Sequence, residues 1–359
     1  MSHLRLTAVE IFAGGGGLAV GLERAGFRAV AAIEVERHAA ATFKANHPDV
    51  QVFRQDVREI SGAALLELGG GSIDVLAACP PCQGFSSLTS KYKRDDPRNV
   101  LVSEVARLTE EISPTAVMIE NVPGLANKGR LLFDDLLRRL KRAGYVCNWE
   151  ILQVADFGVP QMRRRLVLLA GKGFKIEMPE TTHSRGGADG KSRWRTVREA
   201  IGHMSDAVPF VDAAVQGGAH LFDWHVVRKM SEANRERLKQ AKVGASGLDT
   251  PDHLRPPCHR GGYSGFSNVY GRMSWDEPSP TITAGCTTLS KGRFGHPEQL
   301  RTISLREAAL LQTFPEDYHF ETDAFERACE IVGNALPCDF AAAVASQVSD
   351  AILGSRPSI

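Results

Sequence analysis

The 359-residue sequence lacks the features that mark membrane and secreted proteins. No apolar run approaches the roughly 18 residues that a membrane span requires, and no signal-type apolar stretch follows a charged start. Its 7 cysteines are odd in number and irregularly spaced, which is not typical of a disulfide framework and suits a reducing compartment. We therefore expect a cytoplasmic protein without a membrane partner.

Net charge is also nearly absent. The sum is +1, which by itself gives no indication of a nucleic-acid partner. The basic residues are nevertheless concentrated in one segment that holds few acids. They are Arg163, Arg164, Arg165, Lys172, Lys175, Arg185, Lys191, Arg193, Arg195 and Arg198. From charge alone, a solvated basic face and a nucleic-acid contact are equal alternatives.

The first half of the sequence alternates apolar strand patterns with helical spacing. Strands are predicted at 6–12, 29–33, 50–53, 73–78, 116–119, 147–154 and 166–170, with helices between most of them. This alternation is typical of an α/β fold with a doubly wound, mostly parallel sheet. Ligands bind such sheets beyond the carboxyl ends of the strands, so residues that follow each strand are the candidate site residues.

A run of four glycines follows the first strand and precedes a helix. Backbone amides of such a turn can approach a nucleotide, and Glu34 ends the second strand at the spacing of a carboxylate that binds ribose hydroxyls. The spacing Gly14-x-Gly16-x-x-Ala19 fits a dinucleotide such as NAD, but adenosine cofactors without phosphates use a similar turn. Both cofactor classes remain open at this point.

The motif Cys79-Pro80-Pro81-Cys82 directly follows the strand at 73–78. The prolines end the strand and leave Cys82 at its carboxyl end, where a thiol can serve as a nucleophile. Two cysteines at this spacing are also typical of thioredoxin-like redox centres. Zinc is a weaker alternative because no second such pair or histidine pair accompanies the motif.

Polar side chains lie next to two later strands. Glu120 ends the strand at 116–119, and Gln161, Arg163 and Arg165 alternate at the start of the strand at 166–170. Alternate residues of a strand share a face, so these three side chains would present one polar row to an anion or a base edge. A surface position or a structural ion pair is the alternative for each residue.

Six separated motifs together resemble the DNA (cytosine-5)-methyltransferase family of bacterial type. They are Phe12-Ala13-Gly14-x-Gly16-Gly17, Pro81-Cys82-Gln83, Glu120-Asn121-Val122, Gln161-x-Arg163-x-Arg165, Arg306-Glu307-Ala308 with Phe314-Pro315, and Gly333-Asn334-Ala335. They follow the family's order and nearly span the chain. The resemblance implies a Rossmann-like fold that uses S-adenosyl-L-methionine to methylate cytosine C5 within a short specific DNA sequence.

The resemblance also implies catalytic roles. Cys82 adds to cytosine C6, Glu120 meets N3, and Arg165 pairs with the base carbonyl with support from Arg163. The covalent Cys82–C6 adduct makes C5 nucleophilic. Because this chemistry cannot occur inside a stacked duplex, the target cytosine must be flipped out of the helix.

S-adenosyl-L-methionine is the implied cofactor, with S-adenosyl-L-homocysteine as product and no metal. The positions that match the family's cofactor contacts are Phe12, Gly14, Gly15, Gly16, Gly17, Glu34, Asp56, Val57, Pro81, Leu101, Asn334 and Ala335. Among them, Glu34 matches the ribose-diol carboxylate, and Asp56 with Val57 the adenine edge. Val35, also assigned to the cofactor, stands where many members carry an aromatic residue, so weaker stacking on adenine is expected.

Double-stranded DNA is the implied partner. Ser86, Ser87 and Arg98 match DNA-facing or hinge positions of the family's loop that closes over the flipped nucleotide. Further predicted DNA contacts are Gln161, Arg272 and Thr281, with sequence recognition expected near 267–272 and 281–293. A relative that acts on transfer RNA carries Cys-Phe-Thr in its second domain, and the absence of that signature here favours DNA.

Composition and resemblance together predict the domain organisation. Residues 171–295 are rich in Gly, Pro, Ser, Thr and basic residues, which is typical of an irregular, β-rich module. We expect a catalytic and cofactor-binding domain at 1–175 plus 328–359, and a target-recognition domain and hinge at 176–327. A monomer in the bacterial cytoplasm, associated with the nucleoid and paired with a cognate restriction endonuclease, completes the prediction.

Overall fold

The computed structural model describes residues 5–81, 101–246, 249–260 and 268–356. The predicted site residues Cys82, Ser86, Ser87 and Arg98 lie outside the described residues. The chain divides into two compact units. The first comprises Met1–Phe157, Arg164–Thr181 and Leu336–Ile359, and the second comprises Gly158–Arg163 and Thr182–Ala335.

The first unit contains a seven-stranded sheet with strand order β3-β2-β1-β4-β5-β7-β6. Its strands are β1 (Thr7–Ile11), β2 (Arg28–Ile33), β3 (Gln51–Phe53), β4 (Val75–Ala78), β5 (Ala116–Asn121), β6 (Tyr145–Gln153) and β7 (Arg164–Lys172). Strands β1 to β5 pair in parallel, whereas β7 runs antiparallel to both β5 and β6. The mostly parallel, doubly wound sheet predicted from the sequence is confirmed.

Helices cover this sheet and continue through the second unit. They are α1 (Gly17–Arg24), α2 (Arg37–Asn46), α3 (Gly62–Leu68), α4 (Val102–Ile112), α5 (Arg130–Arg142), α6 (Val197–Ile201), α7 (Phe210–Val215), α8 (Glu232–Gln240), α9 (Leu305–Leu311), α10 (Phe325–Asn334) and α11 (Cys338–Ser355). Strands β1, β4 and β5 are buried along their whole length. Such continuous apolar strands are typical of parallel sheets covered on both faces.

The packing of the first unit explains why the ends of these strands are held in place. Leu108 of α4 and Phe133 of α5 join the apolar core that contains Ile11 and Ile119 of the sheet. Helix α1 lies so close to α11 that a Cβ added at Gly21 would be 2.4 Å from the Cβ of Ala341. The carboxyl ends of β1, β4 and β5 are therefore supported by a closely packed core.

The segment Phe325–Ser355 is long and apolar enough, by length and composition, to cross a membrane. The sequence prediction missed this property because Pro337 interrupts the pattern. The segment consists of the separate helices α10 and α11, and 67% of its most apolar window is buried inside the protein. Core helices of globular proteins share this burial.

The second unit is irregular, as its composition predicted. Its described strands are only two residues long, namely β8 (His183–Ser184), β9 (Ser192–Arg193), β10 (Val208–Pro209) and β11 (Val226–Val227). Within the described part of the chain its longer elements are helices, so this unit is less β-rich than expected. Abundant glycine and proline disfavour long paired strands.

The boundaries of the two units differ from the predicted ones by a few residues. They fall after Thr181 and Ala335, whereas the sequence placed them after 175 and 327. The short stretch Gly158–Arg163 joins the second unit because its backbone pairs with Ser279. The functional division between catalysis and target recognition stays a prediction.

Candidate active site

Strand β1 ends in a strained turn that places a backbone amide beside a carboxylate. Phe12, Gly14 and Gly16 have φ values of 59°, 56° and 91°. For Phe12 this left-handed conformation costs about 1–3 kcal/mol, and such strain is concentrated at functional sites. The amide of Gly14 donates to Glu34 Oε2 at 2.8 Å, and the amide of Glu36 donates to Glu34 Oε1 at 2.7 Å. The turn and Glu34 therefore hold each other in position.

The environment of Glu34 fits the sugar of an adenosine cofactor. Burial raises the pKa of this carboxyl group, and the amides of Glu36 and Gly14 oppose the increase. Each carboxylate oxygen accepts one amide and has a second lone pair, so the ionised group can still accept hydroxyl groups. The neighbouring Val35 is 65% exposed and offers an apolar surface to a flat ring. Ribose hydroxyls and an adenine face both suit this arrangement.

Asp56 and Val57, predicted at the adenine edge, begin a short 3-10 helix. The Asp56 carboxylate accepts from the Arg58 amide at 3.0 Å and from Arg58 Nη2 at 2.6 Å. These hydrogen bonds lower the pKa of Asp56 to about 2. Its side chain is 30% exposed, whereas Val57 is buried. Asp56 is therefore ionised near neutral pH and can accept a hydrogen bond from an amino group.

Strands β5 and β7 bring Glu120 and Arg165 together. The start of β7 pairs with the end of β5, with Asn121 opposite Leu166. Arg165 Nε forms an ion pair with Glu120 Oε1, and 11% of each side chain is exposed. A carboxyl group and a guanidinium that retain some exposure can hydrogen-bond the ring nitrogen and the carbonyl of a pyrimidine.

Asn121 holds the chain that leads to the predicted nucleophile. Its Nδ2 donates to the carbonyl of Pro80 at 3.2 Å, and its Oδ1 accepts from the amide of Val122 at 2.7 Å. The side chain is buried. Asn121 lies inside the motif Glu120-Asn121-Val122, and no role was predicted for it from the sequence. The structure ties the end of β5 through Asn121 to the proline step that precedes Cys82.

Cys79 has the properties of a packing residue. The pKa of its thiol is raised well above the ordinary value, chiefly by burial and next by the charge of Glu120. Reactive cysteines require a thiolate and therefore a lowered pKa. The environment of Cys79 thus disfavours the thioredoxin-like alternative for the Cys79–Cys82 motif.

The predicted polar row is divided between the two units. Gln161 and Arg163 are buried in the second unit, whereas Arg165 belongs to the first. Gln161 Nε2 donates to Gln312 Oε1 at 2.7 Å, and its Oε1 accepts from the amide of Ile282 at 2.9 Å. Its amide group is therefore hydrogen-bonded inside the protein, and the DNA contact predicted for Gln161 stays a prediction.

Arg272 and Thr281 are also hydrogen-bonded within the second unit. Arg272 is buried, its Nε donates to the carbonyl of Leu238 at 2.8 Å, and its Nη1 donates to the carbonyl of Glu298 at 3.0 Å. Burial also lowers the pKa of its guanidinium group. Arg272 therefore satisfies carbonyls of an irregular backbone, and its predicted contact with DNA stays a prediction. Thr281 Oγ1 donates to the carbonyl of Met162 at 2.8 Å and remains partly exposed.

The remaining predicted cofactor positions lie at the ends of elements. Leu101 precedes α4, and Pro81 is the last described residue after β4. Asn334 is the exposed last residue of α10, and Ala335 follows it, both in the second unit. Cofactor contact by these four residues stays a prediction. Across the described residues no group of His, Cys, Asp or Glu side chains could hold a metal ion.

Solved structures of methyltransferases share this fold. A chain described as a DNA modification methyltransferase encoded within an E. coli prophage matches with a TM-score of 0.73 and 22% identity, covering 97% of this chain and 99% of that chain. The S. pombe Dnmt2 methyltransferase matches with a TM-score of 0.64 and 18% identity, covering 96% and 99%. The fold is that of the Rossmann-like methyltransferases.

Sequence comparison defines the family. The model of the C-5 cytosine-specific DNA methylase family matches residues 6–350. The type II methylase M.HgiDII of Herpetosiphon aurantiacus is 34% identical over 353 residues, covering 95% of this chain and 94% of that protein. The type II methyltransferase M1.HphI of Haemophilus parahaemolyticus is 35% identical over 352 residues, covering 96% and 87%. The chain belongs to the C-5 cytosine-specific DNA methylase family, and the recognition from six motifs is confirmed.

Membership of this family identifies the activity. The protein is a DNA (cytosine-5)-methyltransferase, which methylates C5 of cytosine through the covalent cysteine adduct general to the family.

Proposed function

We propose that this enzyme methylates a cytosine flipped out of duplex DNA within a short specific sequence, with Cys82 as the nucleophile. The observation that supports this proposal most directly is the ion pair between Glu120 and Arg165. It lies at the end of β5, next to the strand that leads through Pro80 to Cys82. A pyrimidine held by Glu120 and Arg165 would therefore lie close to the chain that carries the thiol.

The proposed roles follow from the electron demand of the reaction. The Cys82 thiolate forms a bond to C6, and the electrons of the C5–C6 double bond move toward C5 and the N3 side of the ring. Glu120 in its protonated form donates a hydrogen bond or its proton to N3 and so neutralises the developing negative charge. Arg165 donates to the exocyclic carbonyl oxygen, where part of that charge accumulates.

The last steps restore the enzyme. S-adenosyl-L-methionine, when bound, would supply an electrophilic methyl group to the activated C5 and leave as S-adenosyl-L-homocysteine when its methyl–sulfur bond breaks. Loss of the C5 proton then returns its electrons to the ring, the bond between Cys82 and C6 breaks, and 5-methylcytosine is released. Cys82 leaves as a thiolate, ready for another cycle.

The cofactor residues proposed from the sequence have groups that suit S-adenosyl-L-methionine. Glu34 would accept hydrogen bonds from the ribose hydroxyls, and Asp56 would accept one from the adenine amino group. Val35 would cover one face of the adenine ring. The turn from Phe12 to Gly17 would face the methionine portion. Leu101, Pro81, Asn334 and Ala335 complete the proposed set.

We propose that the second unit recognises the target sequence and that the enzyme acts together with a restriction endonuclease in the cell. The named relatives are type II methyltransferases, which supports a role beside a cognate restriction endonuclease. We place the enzyme as a monomer in the bacterial cytoplasm, at the nucleoid. Bisulfite sequencing of DNA from cells that express the protein would reveal the methylated motif.

A direct assay tests the proposal. Purified protein is incubated with S-adenosyl-L-methionine labelled in its methyl group and with DNA from a host that lacks cytosine methylation. We expect label in 5-methylcytosine of duplex DNA and not in transfer RNA. Preferential labelling of transfer RNA would replace the proposed substrate, and absence of any labelled cytosine would favour a non-catalytic DNA-binding protein.

A further inference from the structure

A buried hydrogen-bond network is centred on Gln312, which immediately follows α9. Gln312 Oε1 accepts from Gln161 Nε2 at 2.7 Å and from Arg163 Nη1 at 3.5 Å. Its Nε2 donates to the carbonyl of Val332 at 2.7 Å and to that of Ala335 at 3.2 Å. All four bonds lie within the second unit. One amide side chain thus connects two sequence motifs, 161–163 and 333–335.

The donor half of Gln312 stabilises the carboxyl end of α10. The last carbonyls of a helix have no partner within the helix, and side-chain donors can satisfy them. Gln312 supplies such a donor to Val332, and Arg163 Nη1 lies 3.5 Å from the carbonyl of Gly333. The positive charge of Arg163 also interacts favourably with the negative end of the helix dipole. The turn Asn334–Ala335 therefore begins from a firmly held helix end.

The acceptor half of Gln312 continues to the loop 281–284. Gln161 bonds both Gln312 and the amide of Ile282, and Arg163 Nη1 donates to the carbonyl of Ile282 at 3.0 Å. Both backbone groups of Ile282 are therefore held by the 161–163 segment. The hydroxyl group of Thr281, the residue before Ile282, donates to the carbonyl of Met162.

An independent observation shows that the loop and the helix end are in direct contact. A Cβ added at Gly333 would lie 2.1 Å from the amide nitrogen of Ala284 and 2.2 Å from the carbonyl carbon of Thr283. No side chain fits in this space. The 281–284 loop and the end of α10 are thus packed backbone to backbone, and the hydrogen bonds of Gln312 fix their register.

A polar network of this kind specifies a geometry more than it adds stability. Buried amide groups are costly unless all their partners are present, whereas fully paired networks impose one arrangement on the groups that they join. Gln312 is fully buried, and both of its polar atoms are paired. A leucine of similar size would fill the space without fixing the positions of the carbonyls.

We propose that Gln312 is a positioning residue that sets the turn Asn334–Ala335 for the cofactor and the loop 281–284 for DNA. The inference rests on the proposed function, in which Asn334 and Ala335 contact S-adenosyl-L-methionine, and on the DNA contact that the sequence predicts for Thr281. The two halves of the amide serve the two ligands separately. The donor half holds the cofactor turn, and the acceptor half holds the DNA loop through Gln161 and Arg163.

Two variants separate these halves. Gln312→Leu removes all four hydrogen bonds. Gln312→Glu keeps an acceptor for Gln161 and Arg163 but turns a carboxylate oxygen toward the carbonyls of Val332 and Ala335. Gln240→Leu and Gln240→Glu are matched controls, because Gln240 is exposed on α8 in the same unit.

Equilibrium binding provides the readout for the full-length protein. Dissociation constants are measured for S-adenosyl-L-methionine by calorimetry and for a duplex carrying the mapped target site by fluorescence anisotropy. We expect Gln312→Leu to raise the dissociation constant of each ligand by about tenfold, as for the loss of one or two net hydrogen bonds. Gln312→Glu should weaken binding of the cofactor to a similar extent and leave the dissociation constant for DNA within about twofold of the wild-type value.

Other results would overturn the inference. Equal weakening of both ligands by Gln312→Glu, or binding within twofold of the Gln240 controls in both Gln312 variants, would exclude separate positioning. A wild-type protein that neither binds S-adenosyl-L-methionine nor methylates DNA would instead contradict the proposed function.

Hydrogen exchange in the wild-type protein gives a test that does not depend on folding of a variant. Cofactor binding at the turn 334–335 should slow deuterium uptake at the amide of Ile282, which Gln161 holds through the network. Unchanged uptake at Ile282 on saturation with S-adenosyl-L-methionine would contradict a connection between the two segments.

Discussion

Arg163 and Arg165 are two residues apart, yet they occupy opposite chemical environments. Arg165 in the first unit pairs with the carboxylate of Glu120, and 11% of its side chain is exposed. Arg163 in the second unit is buried and donates to the carbonyl of Ile282 and toward that of Gly333. The first arginine has a charged partner at a sheet edge, and the second has neutral carbonyl partners inside a folded loop.

A group that can react with a substrate differs from a supporting group in the hydrogen-bonding capacity that it keeps free of internal partners. The sheet edge of the first unit retains capacity for hydrogen bonding, as at Glu34 and Asp56. The polar residues predicted in the second unit, Gln161 and Arg272, are occupied by internal partners. Residues that look equivalent in a motif therefore differ in whether a substrate can reach them.

The largest expected effect concerns the two cysteines of the first unit. Cys82→Ser should abolish methyl transfer, because a serine hydroxyl is not ionised near neutral pH and cannot add to C6, while S-adenosyl-L-methionine still binds. Cys79→Ser should keep most activity, because the Cys79 thiol is held protonated. Initial rates with labelled cofactor measure both. Equal losses at the two positions would restore the redox interpretation.

The second prediction separates the two arginines. Arg165→Lys should lower kcat by about 10²–10³, the usual effect of removing a donor that stabilises developing charge. Arg163→Lys should lower the free energy of unfolding by about 1–3 kcal/mol, because buried carbonyls lose their partners. Steady-state kinetics and urea denaturation of both variants provide the measurements. The reverse assignment, with stability lost at Arg165, would invalidate the comparison.

The third prediction tests the open hydrogen-bonding capacity of Glu34. Glu34→Gln should weaken binding of S-adenosyl-L-methionine by about 10-fold to 100-fold, because hydrogen bonds to a charged acceptor are lost. Burial raises the pKa of Glu34, so wild-type affinity should fall as pH decreases through that raised value, at a higher pH than for an ordinary glutamate. Calorimetry between pH 5 and 8 would detect this fall, which the Gln variant lacks. Asp49→Asn, at an exposed position, should retain it.

The fourth prediction assigns part of the basic segment of the second unit to the DNA backbone. Arg185 and Arg193 lie at the β8–β9 pair, are exposed, and form no ion pair with any residue that the structure describes. Replacing both by alanine should reduce the slope of log K against log salt by about 0.9 for each phosphate that the protein no longer neutralises. Arg138→Ala, on α5 and ion-paired with Asp135, is the control. An unchanged slope would assign the basic segment to solvent.

The smallest effect concerns Glu10, a buried carboxyl group on β1 whose oxygens have no hydrogen-bond partner within the described part of the chain. Burial raises its pKa well above the ordinary value, so the carboxyl group binds its proton more tightly in the folded protein than in the unfolded chain. The stability that this group contributes is complete below the unfolded pKa of about 4.3 and is lost as pH rises.

Glu10→Gln removes this proton linkage while keeping the shape of the side chain. The free energy of unfolding of the variant, minus that of the wild type, should increase as pH rises from 5 to 8, by at most about 1.4 kcal/mol per pH unit. Urea denaturation across this range measures the gain, and Glu67→Gln at an exposed position should show none. A pH-independent difference would mean that Glu10 is ionised in the folded state.

Much of the first unit could be predicted because its signals are local. Apolar runs marked all seven strands of the sheet to within a few residues, and Glu34 and Glu120 were placed at the ends of β2 and β5. The second unit was less predictable, because its order depends on side chains that bond distant backbone groups. Arg272 resembled a base-reading arginine in sequence, but its carbonyl partners come from residues 238, 297 and 298.

The sequence by itself determined the alternation of strands and helices, the family, and the chemical types present at the sheet edge. These depend on periodicity and on motifs that are contiguous in the chain. Tertiary structure alone decided which polar groups stay accessible: Arg165 faces Glu120, while Gln312 closes over Gln161 and Arg163 from about 150 positions away. Accessibility depends on partners that are remote in sequence, because a hydrogen bond forms wherever folding brings a donor and an acceptor together.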